Sequence, residues 1–231
     1  MITRRELVRN ENLMQQTQIV LLNQLADMIA GLLPALSDNE RRVSLKLYRL
    51  LAHGSPVAAE QIAQTLNIPL AIVKNILDGW PGVYYNNEGL ITGYWGLSIS
   101  KAGHRFEVDG VELSTWCAWD TLFIPAIIGK TAHVETTCPV TKETISLTVW
   151  PDGIRSVAPP DIHVSFVTPD AGKFNEDIIN NFCHLVYFFS SKEAASQWAS
   201  EHEGTFTLTL DEAFELGGRK NEMQYKNILG A

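Results

Sequence analysis

Apolar residues first recur at helical spacing. Between Leu13 and Leu33 they include Leu21, Leu25, Met28, Ile29 and Leu32, which predicts an amphipathic helix closed by Pro34. The preceding residues, Met1 to Asn12, are polar and read as an extension. Ser37 caps a second predicted helix, where Val43, Leu47, Leu50 and Leu51 share a face before Gly54 ends it. A third helix is expected over Ala58 to Leu66. A fourth is expected over Leu70 to Trp80, with Pro69 at a first-turn position. Tyr84-Tyr85, the turn Asn86-Asn87-Glu88-Gly89 and the run Leu90 to Tyr94 then read as a hairpin.

The period changes in the second half. Short β-rich runs are expected at Leu97 to Ser100, His104 to Val108, Ala132 to Thr136, Ile145 to Val149, Val164 to Thr168 and Cys183 to Phe189. One helix interrupts them at about Trp116 to Ile128. Another runs from Ser190 to Glu203, with Ser190 or Ser191 as cap and Ala194, Ala195 and Trp198 inward. Phe206 to Leu210 reads as strand. Asp211 to Leu216 begins a terminal helix, with Gly217-Gly218 as candidate breakers. The fold class is α+β: an N-terminal helical, winged-helix-like module over 1–92, then a core of antiparallel strands with flanking helices over 93–231. Ser55 to Gly79 has the cadence of a helix-turn-helix. Its second helix carries a single basic residue, Lys74. A DNA reader needs several donors aimed at phosphates and base edges, so a packing module is the favoured reading.

Composition narrows the choice. The 231 residues are 45% hydrophobic and 19% charged, with a net charge of -8. That balance, without a basic tract, argues against nucleic acid or an anionic membrane as partner. The apolar stretch from Ile19 to Leu36 contains Asn23, Gln24 and Asp27, too polar for a signal core or a bilayer span. Three widely spaced cysteines without Cys-x-x-Cys suggest a reducing compartment, and the cytoplasm is the expected location.

The chemistry concentrates in Trp116-Cys117-Ala118-Trp119-Asp120-Thr121-Leu122 and, far downstream, Phe182-Cys183-His184. Cys117 and Asp120 would share a helix face. With Ser114 or Thr115 as cap, Cys117 falls in the first turn, where free amides and the dipole favour the thiolate over the usual pKa of roughly 8.5. Pro125 is expected to shorten or kink this helix. Its remaining residues are strongly apolar. Asp120, desolvated and beside a thiolate, should have a raised pKa and could shuttle a proton. Cys183 is expected at a strand entrance, and next to Cys117 it would complete a dithiolate clamp.

Blander readings compete. A free cysteine is more often a small buried hydrophobe than a nucleophile. That reading is taken for Cys138, and for Cys183 alone it would also prevail. For Cys117 with Asp120 the two readings stand level on pattern alone. His184 is expected on the opposite strand face with a structural role. His104, His133 and His163 lack metal-ligand spacing. No phosphate loop, Gly-x-Gly-x-x-Gly, His-Glu-x-x-His or Gly-x-Ser-x-Gly occurs, so nucleotide, zinc-peptidase and serine-hydrolase chemistry are unsupported.

The two segments closely resemble the active-site segments of the organomercurial lyases (alkylmercury lyases, the MerB family). Gly93 to Gly204 resembles their catalytic core, through Phe106-Glu107-Val108-Asp109, the Trp116 to Leu122 string, Pro125 to Ala132, Ser146 to Val149, Phe182-Cys183-His184 and Trp198-Ala199-Ser200. The resemblance implies that Cys117 and Cys183 are the mercury-binding thiols and Asp120 the proton-handling carboxylate. It implies protonolysis of a carbon–mercury bond, giving a hydrocarbon and a mercuric ion, with no cofactor. Low-molecular-weight thiols or a mercuric reductase would then remove the ion. Some members carry a second cysteine directly after the distal one, where this chain has His184, which puts a vicinal-thiol handoff in doubt. Two other readings are a metal- or thiol-responsive helix-turn-helix regulator and a non-catalytic mercury-binding protein. The near absence of Lys and Arg in the second helix speaks against the first. Asp120, superfluous for binding, speaks against the second.

Overall fold

The computed structural model describes residues 20–29, 35–101, 103–168 and 178–229. Met1 to Asn12, Pro34 and parts of the first predicted helix lie outside them. Residues 20–29 form the first helix, α1. Its inward face is Leu22, Leu25, Ala26 and Ile29, whereas Leu21 and Met28 are exposed. The expected face was therefore rotated, because several registers of this apolar-rich stretch fit a helical period.

The helix α2 (Asp38–Leu51) starts at Ser37, whose hydroxyl accepts from the Glu40 N–H while the Glu40 carboxylate accepts from the Ser37 N–H. This reciprocal box satisfies two otherwise open amides. The short helices α3 (Ala59–Leu66) and α4 (Leu70–Asp78) follow. Pro69 stands at the N-cap of α4, one position before the first turn. Lys74, the lone cation of α4, pairs with Glu60 of α3 at 3.0 Å.

An eight-stranded antiparallel sheet comes next. It comprises β1 (Val83–Tyr85), β2 (Ile91–Tyr94), β3 (Leu97–Ser98), β4 (His104–Val108), β5 (Val111–Thr115), β6 (Ala132–Thr137), β7 (Thr144–Trp150) and β8 (Gly153–Ala158). Their order is β1-β2-β3-β5-β4-β6-β7-β8. The division expected at 92/93 falls inside β2, which pairs with β1 on one side and β3 on the other.

The helix α5 (Asp120–Ile128) lies between β5 and β6 in sequence and packs on α2, β6 and β7. All of its residues except Ala126 are buried. A helix apolar all round belongs in an interior. It continues through Pro125 to Ile128.

A second sheet has the order β10-β9-β11, from β9 (His163–Val167), β10 (Phe188–Phe189) and β11 (Thr205–Thr209). A short helix α6 (Ile178–Asn181) and a 3-10 turn (Cys183–Leu185) precede β10. The expected strand from Cys183 to Phe189 therefore shrinks to two residues. The helix α7 (Lys192–Glu201) is capped by Ser191, which accepts from the Ala194 N–H at 3.2 Å. The last helix, α8 (Leu210–Tyr225), runs straight through Gly217-Gly218 and packs on α5. A Cβ at Gly217 would stand 2.8 Å from the Phe123 Cβ, so that glycine serves close helix approach, not termination.

Candidate active site

The segment before α5 takes a form the sequence did not suggest. Ser114 and Thr115 end β5 and cap nothing, and Cys117 lies in a turn ahead of the helix. The turn is held from within. The Asp120 Oδ2 accepts the Cys117 N–H at 2.9 Å, and the Thr115 hydroxyl donates to the Cys117 carbonyl at 3.1 Å. It is also held from outside. Trp116 N–H donates to Gly96 O, and Ala118 N–H donates to Val186 O at 3.2 Å, which ties the Cys117 turn to the Cys183 segment. Trp119 Nε1 donates to the Ala213 carbonyl of α8 at 2.9 Å.

These ties bring the three predicted residues together. Cys117, Asp120 and Cys183 are all buried, and one ligand atom from each lies within 4.8 Å of the others. The cysteines are free thiols. Burial pushes the Cys117 thiol well above its ordinary value, aided by its hydrogen bond with Cys183 and the nearby Asp120 charge. The expected dipole-stabilised thiolate is therefore reversed: Cys117 stands before the helix, and desolvation prevails. Burial also raises Asp120, to about 6, against the opposing hydrogen bonds from the Cys117 thiol and backbone N–H and the charge of Lys220. The direction agrees with the sequence expectation. The cause is burial alone, since the thiol neighbour donates a hydrogen bond and does not repel.

Gly96 makes room for the carboxyl. A Cβ there would meet Asp120 Cγ at 2.5 Å, and its φ of +94° suits only glycine. The neighbouring Trp95 carbonyl accepts from Tyr48 of α2 at 2.6 Å.

An inner cavity of about 30 Å³ adjoins the cluster, lined by Asp120, Cys183 and Lys220 among the aromatic rings of Trp119, Phe123 and Phe182. An open groove of about 880 Å³ also reaches Cys183 and is lined by Trp116, His104 and His184 as well. Cys183 thus forms a wall of both spaces. The remaining candidates stand apart. Cys138 is buried outside the cluster. Burial raises its pKa, but hydrogen bonds from Thr141, Ser190 and Val140 outweigh that and bring it to about 7. His104 is buried beside Thr136, 2.8 Å away, and burial lowers it to about 4. His184 is exposed in the 3-10 turn, not on the back of a strand.

Lys220 escaped the sequence reading. Its signal was its period: Ala213, Leu216, Gly217 and Lys220 follow one buried helix face.

Residues 97–221 match the family described as alkylmercury lyase, MerB. The chain is 43% identical over 171 residues to the alkylmercury lyase of Staphylococcus epidermidis, covering 74% of this chain and 77% of that protein. It is 42% identical over the same length to that of Bacillus cereus, with the same coverage. The match to that of Pseudomonas putida is 43%, covering 79% of that protein. The fold resembles the crystal structure of the mercury-bound form of MerB2, with a TM-score of 0.71 at 22% identity, covering 87% of this chain and 99% of that one. The chain belongs to the alkylmercury lyase family.

Proposed function

We propose that this protein is an organomercurial lyase in which Cys117 and Cys183 hold mercury and Asp120 moves the proton. The observation that carries the reading is the meeting of two buried thiols and one buried carboxylate within 4.8 Å, in a chain of this family. Mercury is soft and prefers sulfur. Burial keeps the Cys117 thiol protonated, so a base must free it, and Asp120 lies in hydrogen-bonding reach of Cys117. With a pKa of about 6, the carboxyl can take a proton from a thiol and return it near neutral pH. Thiolate donation to mercury makes the bonded carbon a better proton acceptor. Asp120 delivers the proton there, releasing a hydrocarbon and leaving a mercuric ion on the two sulfurs.

The reaction needs no organic cofactor, and the mercuric ion is its product. Small thiols, or a mercuric reductase, reach the ion through the open groove at Cys183. Free cysteines suit the cytoplasm. No helix among the described residues is long and apolar enough to cross a membrane.

The test uses wild type and Asp120→Asn, each with an organomercurial and excess thiol. Wild type should release hydrocarbon. Asp120→Asn should still bind one mercuric ion but release hydrocarbon about 100-fold more slowly or worse, the scale of a lost acid–base group. Near wild-type release would remove Asp120 from the mechanism. Wild-type mercury capture without any hydrocarbon would make the protein a mercury binder only.

A further inference from the structure

The mechanism leaves one buried charge unused. Lys220 on α8 is 4% exposed and shares the inner cavity with Asp120 and Cys183. Its ammonium lies 3.9 Å from the centroid of the Phe123 ring, 5.8 Å from that of Tyr225, and 3.4 Å from Asn221 Oδ1. Aromatic faces attract a cation but do not neutralise it. Asp120 is the carboxylate whose charge acts on it, and Lys220 in turn favours the ionised Asp120.

We infer that Lys220 is a positioning residue for protonolysis: its ammonium balances the one negative charge that moves between Asp120 and the mercury–thiolate centre. The inference rests on the lyase reading above. One cysteine sulfur first displaces the external ligand of the organomercurial, its thiol proton leaving with that ligand; the second thiol then gives its proton to Asp120, and its sulfur lone pair binds mercury. Asp120 is then neutral, and the mercury centre, with its organic group and two sulfurs, carries one negative charge. The proton next passes from Asp120 to carbon, which takes the electron pair of the breaking carbon–mercury bond. Hydrocarbon leaves, the mercuric bis-thiolate is neutral, and Asp120 is a carboxylate again. Each state carries one negative charge, in a cavity walled by Trp119, Phe123 and Phe182. An unpaired charge in such surroundings is costly, and a protonated Lys220 in the same cavity offsets it at every stage. Burial lowers Lys220 to about 7, and the Asp120 carboxylate opposes that fall.

Two full-length variants test this. Lys220→Met keeps the shape and removes the charge, while Lys220→Arg keeps the charge. Near-ultraviolet circular dichroism reports folding, and mercuric-ion stoichiometry reports the thiol pair. The kcat for hydrocarbon release should fall about 10-fold or more in Lys220→Met, with KM and mercuric-ion stoichiometry close to wild type. Lys220→Arg should recover most of the loss. Wild-type kcat in Lys220→Met, or a folded Lys220→Arg no faster than Lys220→Met, would overturn the inference. If Lys220→Met does not fold, Lys220→Arg decides against wild type: retained kcat supports the charge role, and lost kcat in a folded protein refutes it. Wild type runs in parallel. Absence of hydrocarbon from wild type would sink the lyase reading itself, whereas unchanged turnover in Lys220→Met would sink only the role of the lysine.

Discussion

Asp120 is set by opposed forces. Burial drives its pKa up to about 6, while hydrogen bonds from Cys117 and the charge of Lys220 hold it back. A carboxyl raised above its unfolded value of about 3.9 weakens the fold once it ionises, by on the order of 3 kcal/mol above pH 6. Below about pH 4 it is protonated in both states, and the penalty vanishes. Asp120→Asn should therefore stabilise the protein at pH 7, with the gain fading as pH falls from 6 towards 4. Thermal melts of both proteins across that range check this, and a gain independent of pH would contradict it. Gly96 makes the complementary case. Gly96→Ala forces a side chain against Asp120 at 2.5 Å, in a backbone conformation that L residues rarely adopt. Displacing a reacting group by about 1 Å costs roughly 100-fold. Hydrocarbon release should fall on that scale while mercuric-ion capture persists. At this scale the chemistry was legible. Residue types and the family-like strings pointed to Cys117, Asp120 and Cys183, and the direction of the Asp120 shift followed from apolar neighbours. The Cys117 shift was not legible, because it depends on whether the residue sits inside or ahead of the helix, and strings do not show that.

Elements with a chemical start signal were the easiest to place. Ser37 and Ser191 cap α2 and α7 as their sequences suggest. Two strands escaped: β8 is largely exposed and lacks a buried alternation, and β5 runs directly into the Trp116 turn. The apolar run after Cys183 misled for the opposite reason. It is buried around the site as well as paired, and burial alone makes a strand-like string. The glycine pair of α8 misled because propensity ignores packing. The two glycines therefore carry predictions of opposite sign. Gly217 abuts Phe123, so Gly217→Ala should destabilise the protein by roughly 1–3 kcal/mol through overpacking. Gly218 has nothing within 4 Å of its missing Cβ, so Gly218→Ala should stabilise by about 0.5–1 kcal/mol through helix propensity. Urea midpoints of the two single variants decide it, and a common sign would refute the packing argument.

The site draws on both halves of the chain. Ile29 of α1 and Trp95 beyond β2 line the same cavity as Asp120, Cys183 and Lys220. A buried polar chain joins the halves: Tyr94 donates to Ser44 Oγ at 3.0 Å, and Ser44 shares a 2.8 Å hydrogen bond with Tyr225 of α8. Tyr48 of α2 reaches the Trp95 carbonyl beside Gly96. Among the described residues the apolar core is likewise one cluster, from Leu47 and Ile62 through Leu97 to Phe166 and Leu216. Separate opening of the helical part would leave Tyr225 and Lys220 without their covering and break a satisfied buried network, which is costly. The helical part and the sheet should thus unfold together. Native-state hydrogen exchange at increasing denaturant resolves this by segment. The slowest amides of α2 and those of β4 and β6 should exchange through one opening, with the same free energy and the same denaturant dependence. A lower-energy opening of α2 to α4, with β4 and β6 still protected, would show that the N-terminal part unfolds by itself. It would also mean that the site can lose one wall while its cysteines stay in place.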